Sequence, residues 1–136
     1  MRVKNSGMTL MELVVVVAIV ALLAAIAVPS YRQYVLRGNR AEGQSALMQL
    51  AAAQEKFYLQ NNTYAGNGVL DDAPPAGLGL PATTQHGHYT IAITAADADG
   101  WAATATAAGS QARDTRCATF SIDASGVRTA SAPDCW

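Results

Sequence analysis

Glu12 is the first residue whose chemistry stands out, because it heads a run with no other charge. From Leu13 to Tyr31 the chain carries none, and Leu13 to Val28 holds only Leu, Val, Ile and Ala. A carboxylate at the bilayer centre costs about 2.5–3.5 kcal/mol on insertion scales, so an isolated one in such a segment is a functional residue by default. The plain alternative is a signal anchor whose charge snorkels to the interface. His86 and His88 form His-Gly-His in a loop beside a strand. Two imidazoles fall short of the three or four ligands a metal needs, and with no free cysteine to add, neither metal nor cofactor is expected. Asp97-Ala98-Asp99-Gly100 echoes part of a calcium loop but lacks the distal bidentate glutamate, so it reads as a turn. Asn61-Asn62-Thr63 matches the glycosylation tripeptide, a match that is frequent by chance in turn-rich segments. No nucleophile elbow, phosphate-cradling glycine loop or Cys–His pair is present. There is no catalytic set, and the chain does not read as an enzyme.

The elements that must carry these residues fall into four stretches. Residues 8–30 form an apolar helix, uncharged beyond Glu12 and apolar on all sides, which suits a lipid-embedded or buried segment. Residues 31–59 continue it as an amphipathic helix, with Leu47, Leu50, Ala51, Phe57 and Tyr58 in one stripe. Pro29 lacks the amide the preceding turn needs and should kink this helix, running from Met8 to about Leu59, rather than end it. Residues 60–87 hold too many Gly, Pro and Asn for regular elements and form a connector that packs through Tyr64, Leu70, Leu78 and Leu80. Residues 88–136 alternate as strands: His88–Ala95, Trp101–Ala107, Cys117–Asp123 and a short Val127–Ala130. A sheet with one apolar face needs a cover, and the Leu47–Tyr58 stripe is the available partner. The fold class is α+β: a long amino-terminal helix packed on a small antiparallel sheet of three to four strands.

Length and charge narrow the class further. At 136 residues the chain holds one modest domain besides the apolar helix. Arg2 and Lys4, ahead of the apolar run, fit a cytoplasmic amino terminus with the rest translocated. The carboxyl-terminal body then faces an oxidising compartment, where Cys117 and Cys135 pair as a disulfide rather than bind metal. The formal charge is −1, and losing Arg2 and Lys4 from the nine basic residues would leave seven against ten acidic ones. That balance is no electrostatic footprint for nucleic acid, and no nucleic-acid partner is expected. A rival reading takes Ala25-Ile26-Ala27 as a secretory cleavage site that frees a domain starting at Val28.

The stretch Gly7-Met8-Thr9-Leu10-Met11-Glu12-Leu13, the apolar run and Ala27-Val28-Pro29-Ser30-Tyr31 together resemble the type IV prepilin signature. Met8 stands where that family usually has Phe, and Ala21 where many members have Gly. The resemblance implies that residues 1–7 are a leader removed by a membrane prepilin peptidase, which cuts after Gly7 and methylates Met8. It implies that Glu12 pairs with the amino terminus of a neighbouring subunit, with Thr9 beside it in the assembly segment. Tyr58-Leu59-Gln60-Asn61-Asn62-Thr63-Tyr64, Cys117-x-x-Phe120-x-Ile122-Asp123-x-x-Gly126-x-Arg128 and Asp134-Cys135-Trp136 resemble the PilE-like minor pilins of type IVa pili. This second resemblance implies the type IV pilin fold, a Cys117–Cys135 disulfide loop, and a minor pilin used in adhesion, twitching motility or DNA uptake. Its partners would be major and minor pilin subunits, the prepilin peptidase and the inner-membrane assembly machinery. It would be held in the inner membrane through residues 8–30, head periplasmic, before joining an extracellular pilus. The alternatives are a pseudopilin of a type II secretion system, a major pilin, or a DNA-binding pilin using Arg113, Arg116 and Arg128.

Overall fold

The structure is a computed structural model that describes residues 7–136. The leader cations Arg2 and Lys4 lie outside the described residues. Two compact units divide the chain at Val35 and Leu36, and one helix, α1 (Leu10–Asn61), passes through both. In the first unit α1 is apolar and unburied, and it continues through Pro29, whose ring removes one amide donor without ending the helix. At its far end α1 runs two residues beyond the expected Leu59. Asn61 Nδ2 donates to Phe57 O at 3.0 Å, and Asn62, at φ 54°, closes the helix in the left-handed conformation with its amide on Tyr58 O at 2.8 Å. Sequence periodicity cannot see that cap, because it lies in the Asn pair rather than in an apolar repeat.

The second unit, Leu36–Trp136, contains a four-stranded antiparallel sheet in the order β1-β2-β3-β4. The strands are β1 (Tyr89–Ala96), β2 (Trp101–Ala107), β3 (Thr119–Asp123) and β4 (Arg128–Ala130). Register places Ile93 opposite Ala103 and Ala105 opposite Phe120, so apolar residues share one face. The β1–β2 turn is held by Asp97, whose Oδ1 accepts from the amides of Asp99 and Gly100 at 2.8 and 2.9 Å. A carboxylate closing its own turn accounts for the Asp-x-Asp-Gly segment as turn chemistry. The strands begin one or two residues later than expected at His88, Cys117 and Val127. A 3₁₀ helix, Gly109–Arg113, occupies the expected polar loop before Cys117.

Leu47 and Leu50 of α1 are fully buried in the core with Tyr89, Ile91, Ile93, Phe120 and Ile122. This is the expected stripe, and beside it lies a close approach that periodicity does not flag. A Cβ on Gly43 would stand 2.9 Å from Tyr89 Cγ, so only glycine lets that ring lie against the helix. Gln54, also fully buried, works as a polar clamp on the connector. Its Nε2 donates to Ala65 O at 2.7 Å, and its Oε1 accepts from Ala65 N at 2.8 Å. Both atoms of the amide are thereby satisfied, which removes the penalty for burying it.

The Cys117–Cys135 disulfide is present, with Cα atoms 5.6 Å apart and both residues buried. It joins cysteines 18 positions apart in sequence, and the segment it closes includes β3 and β4. Cys117→Ser is expected to cost about 3 kcal/mol on a chain-entropy basis. Denaturant unfolding with and without reductant measures it, and an unchanged midpoint would show that the bridge contributes nothing.

Candidate assembly site

The amino-terminal site is built by a helix cap. Thr9 Oγ1 accepts from the Glu12 amide at 3.2 Å, and Thr9 O accepts from the Leu13 amide at 3.1 Å. Thr9 is therefore the N-cap and Glu12 the third helical residue, the spacing of a capping box. That position puts the Glu12 carboxylate in the first turn, where the helix dipole favours negative charge by about 0.3–1 kcal/mol. Gly7 and Met8 lie just ahead of the cap and are exposed. Glu12 is exposed as well, and among the described residues no cation pairs with it. Beyond it the helix presents Leu10, Leu22 and Ile26 at 81%, 70% and 73% exposure. A surface this apolar over its whole length must be covered by lipid or by other apolar helices.

The head unit holds a second constellation, which sequence reasoning did not find. Arg40 on α1 grips Asp114 with two bonds, Nε to Oδ2 at 2.6 Å and Nη2 to Oδ1 at 2.9 Å. Gln111 Nε2 donates to Asp114 Oδ2 at 3.2 Å, to Tyr89 Oη at 3.2 Å and to Leu36 O at 2.9 Å. Asn39 Nδ2 donates to Gln111 Oε1 at 3.2 Å, and the Cys117 amide donates to Asp114 Oδ1 at 3.4 Å. The Arg40 hydrogen bonds hold the Asp114 carboxyl below its ordinary value against the opposing pull of burial. This network ties α1 to the segment that leads into the disulfide. Arg40 and Asp114 are 74 residues apart, and no local pattern could have joined them.

Sequence reasoning named Arg113, Arg116 and Arg128 as the basic residues of interest. Arg113 ends the 3₁₀ helix and is exposed. Arg116 pairs with Asp134 at 2.7 Å, both exposed, and Arg128 lies 5.4 Å over the Trp136 ring. Trp136 is itself held by edge contact with Phe120 at 5.6 Å and by a bond from Nε1 to Thr129 O at 2.5 Å. Two of the three guanidinium groups thus rest on the carboxyl-terminal segment beside the disulfide.

The family described as "Type IV minor pilin ComP, DNA uptake sequence receptor" matches residues 29–121. The chain belongs to this family of type IV pilins. The prokaryotic N-terminal methylation motif matches residues 2–28 of this pilin. It is 33% identical over 97 residues to the type IV major pilin protein PilE1 of Neisseria gonorrhoeae, covering 71% of this chain and 42% of that one. It is 32% identical over 96 residues to the type IV major pilin protein PilA of Myxococcus xanthus (strain DK1622), covering 71% and 41%. The chain spans about two fifths of the length of these curated relatives. Its fold is that of the Neisseria meningitidis non-core minor pilin PilV, at 15% identity with a TM-score of 0.54, over 74% of this chain and 91% of that one. A type IV pilin from Shewanella oneidensis matches at 28% identity with a TM-score of 0.49, over 74% and 97%. Members of this family are structural subunits of pili, not enzymes. The apolar helix and the methylation motif fit a membrane-anchored precursor.

One further cluster sits where α1 meets the connector. Glu42 Oε2 lies 2.6 Å from His88 Nδ1 and 3.2 Å from His86 Nδ1, and Glu42 Oε1 accepts from the His86 amide at 3.0 Å. Burial pushes the Glu42 carboxyl up, but bonds from the Thr84 hydroxyl, the His86 amide and His88 together outweigh it and bring it down to about 2. A carboxyl depressed from 4.5 to about 2 stabilises the fold fully above pH 4.5, and that contribution drains away as pH falls toward about 2. Thermal unfolding across this window should show Tm falling for the native chain and falling less for Glu42→Gln. Parallel curves would contradict the depressed value.

Proposed function

We propose that this pilin is a minor subunit of a type IV pilus, drawn from an inner-membrane pool and packed into the filament by its apolar helix. The observation that carries the reading is Glu12, seated in a Thr9-capped first turn at the head of an unburied apolar helix. Cleavage after Gly7 would create a methylated amino terminus at Met8, one helical turn from Glu12. In a packed filament core that amino group on one subunit meets the Glu12 carboxylate of the next, and each neutralises the other. The apolar helix exchanges lipid for neighbouring helices, and the pair sets the axial register. The head, braced by the Arg40–Asp114 network and the disulfide, supplies the outer surface. Quantitative immunoblotting of sheared filaments tests the minor role: this chain should be present well below the major subunit. Equal abundance would make it a major pilin instead.

A second task is favoured by the family's own description as a DNA uptake sequence receptor. DNA would meet Arg113, Arg116 and Arg128 beside the disulfide loop. Each phosphate contact contributes about 0.9 to the slope of log affinity against log salt. Replacing all three arginines by alanine should lower that slope and weaken binding to DNA. An unchanged slope would remove this role and leave the structural one standing.

A further inference from the structure

The sequence offers His86 and His88 as two ligands in search of a third, and α1 delivers it. Glu42, 44 residues before His86, reaches both rings. One ligand atom from each of the three side chains lies within 4.8 Å of the other two. Donor atoms around a tetrahedral zinc, at 2.0–2.2 Å from the metal, stand about 3.3–3.6 Å apart. The Glu42 Oε2 contact to His86 Nδ1, at 3.2 Å, is close to that edge, and the one to His88 Nδ1, at 2.6 Å, is a direct hydrogen bond well inside it. A bound ion would therefore need to part Glu42 Oε2 from His86 Nδ1 by a few tenths of an ångström and from His88 Nδ1 by about 0.7–1 Å. The smaller shift falls on His86, whose side chain is 67% exposed, and the larger one is a rotation of the partly exposed Glu42 and His88 side chains away from each other.

The backbone prepares the arrangement. Gly87 adopts φ +72°, and its amide closes a turn on Thr84 O at 2.8 Å. This brings the two imidazoles onto one side, with ring centroids 5.8 Å apart and planes 25° from parallel. The Glu42 carboxylate also accepts from the His86 amide at 3.0 Å, so its position does not depend on the rings alone. Behind His88, Asn39 Nδ2 lies 3.5 Å from Nε2. Glu42 and His86 also line a groove of about 270 Å³, together with Thr84, Leu80 and Ile91. That groove leaves room for a fourth ligand, water included.

We propose that Glu42, His86 and His88 form a surface site for a divalent transition-metal ion of the zinc class, with one coordination position open to the groove. Two imidazoles and a carboxylate suit zinc better than calcium or magnesium, which take oxygen ligands. The bound ion would clamp the end of the connector to α1 and stiffen the entry into β1.

The test uses the tag-free full chain in detergent, treated with chelator and titrated with zinc chloride. Saturable uptake of one equivalent is expected, with a Tm that rises with zinc and returns when EDTA is added. His86→Ala removes an exposed side chain and should leave the metal-free Tm close to native, while weakening zinc binding by about tenfold or more. His88→Ala and Glu42→Gln should weaken it likewise. Cobalt should give visible absorption bands in the native chain that are absent in the His86→Ala, His88→Ala double variant. No saturable uptake by the native chain would overturn the site, as would a double variant that binds zinc as the native chain does.

Discussion

Asp114→Ala is expected to destabilise the head unit by about 3–5 kcal/mol, the usual cost of stranding one member of a buried ion pair. Asp114 is 5% exposed and Arg40 15%, so water cannot replace what the substitution removes. The loss reaches beyond the pair, because Gln111 Nε2 and the Cys117 amide also give bonds to this carboxylate. A domain of this size is stable by roughly 5–15 kcal/mol, so the head would approach its unfolding threshold. Denaturant unfolding of the full chain in detergent measures the effect through the midpoint shift. The double variant Arg40→Met, Asp114→Leu should recover only the part of the loss due to the stranded Arg40 charge, because the bonds from Gln111 and the Cys117 amide stay lost. A single variant with a native midpoint would show that the network does not brace the head. The pair's contribution also has a pH sign. The Asp114 carboxyl lies below its ordinary value, so its stabilisation is present above about pH 4 and is lost as pH falls through the folded value.

Glu12→Ala should leave membrane insertion and processing intact and reduce incorporation into filaments by roughly a hundredfold or more. The magnitude comes from stranding a charge in a low-dielectric core, where about 3 kcal/mol corresponds to two decades in an equilibrium constant. Insertion should not suffer, since removing a carboxylate from an apolar segment makes entry into lipid more favourable. The Thr9 cap is also untouched, because Thr9 Oγ1 accepts from the backbone amide of residue 12, which alanine retains. Glu12→Asp keeps the charge on a shorter arm and should incorporate at an intermediate level. Membrane fractions and sheared filaments probed side by side separate these steps. Native incorporation of the alanine variant would contradict an assembly role for Glu12.

Much of this fold is legible in residue order alone. Uncharged apolar length marks the first half of α1, and alternation marks the apolar faces of β1, β2 and β3, because periods of 3.6 and 2 are written directly into the chain. The stripe through Leu47 and Leu50 and the pairing of Cys117 with Cys135 are present as expected. The residues that were missed act across long separations. Arg40 and Gln111 are ordinary polar residues until the chain brings them together, and Gly43 is an ordinary helix glycine until Tyr89 packs on it. The expectation against a metal rested on a missing third ligand, and sequence order hides that Glu42, from another element, comes within reach of both imidazoles. Capping blurred boundaries for the same reason, since Asn62 ends α1 by backbone conformation rather than by apolar pattern.

The most direct test of the central claim is the mass of the amino-terminal peptide from chains recovered in sheared filaments. A peptide beginning at an N-methylated Met8 is the predicted result, since it places Glu12 one helical turn from the new terminus. A chain that begins at Met1 or at Val28 would contradict it, the first by leaving the leader in place and the second by removing Glu12 altogether.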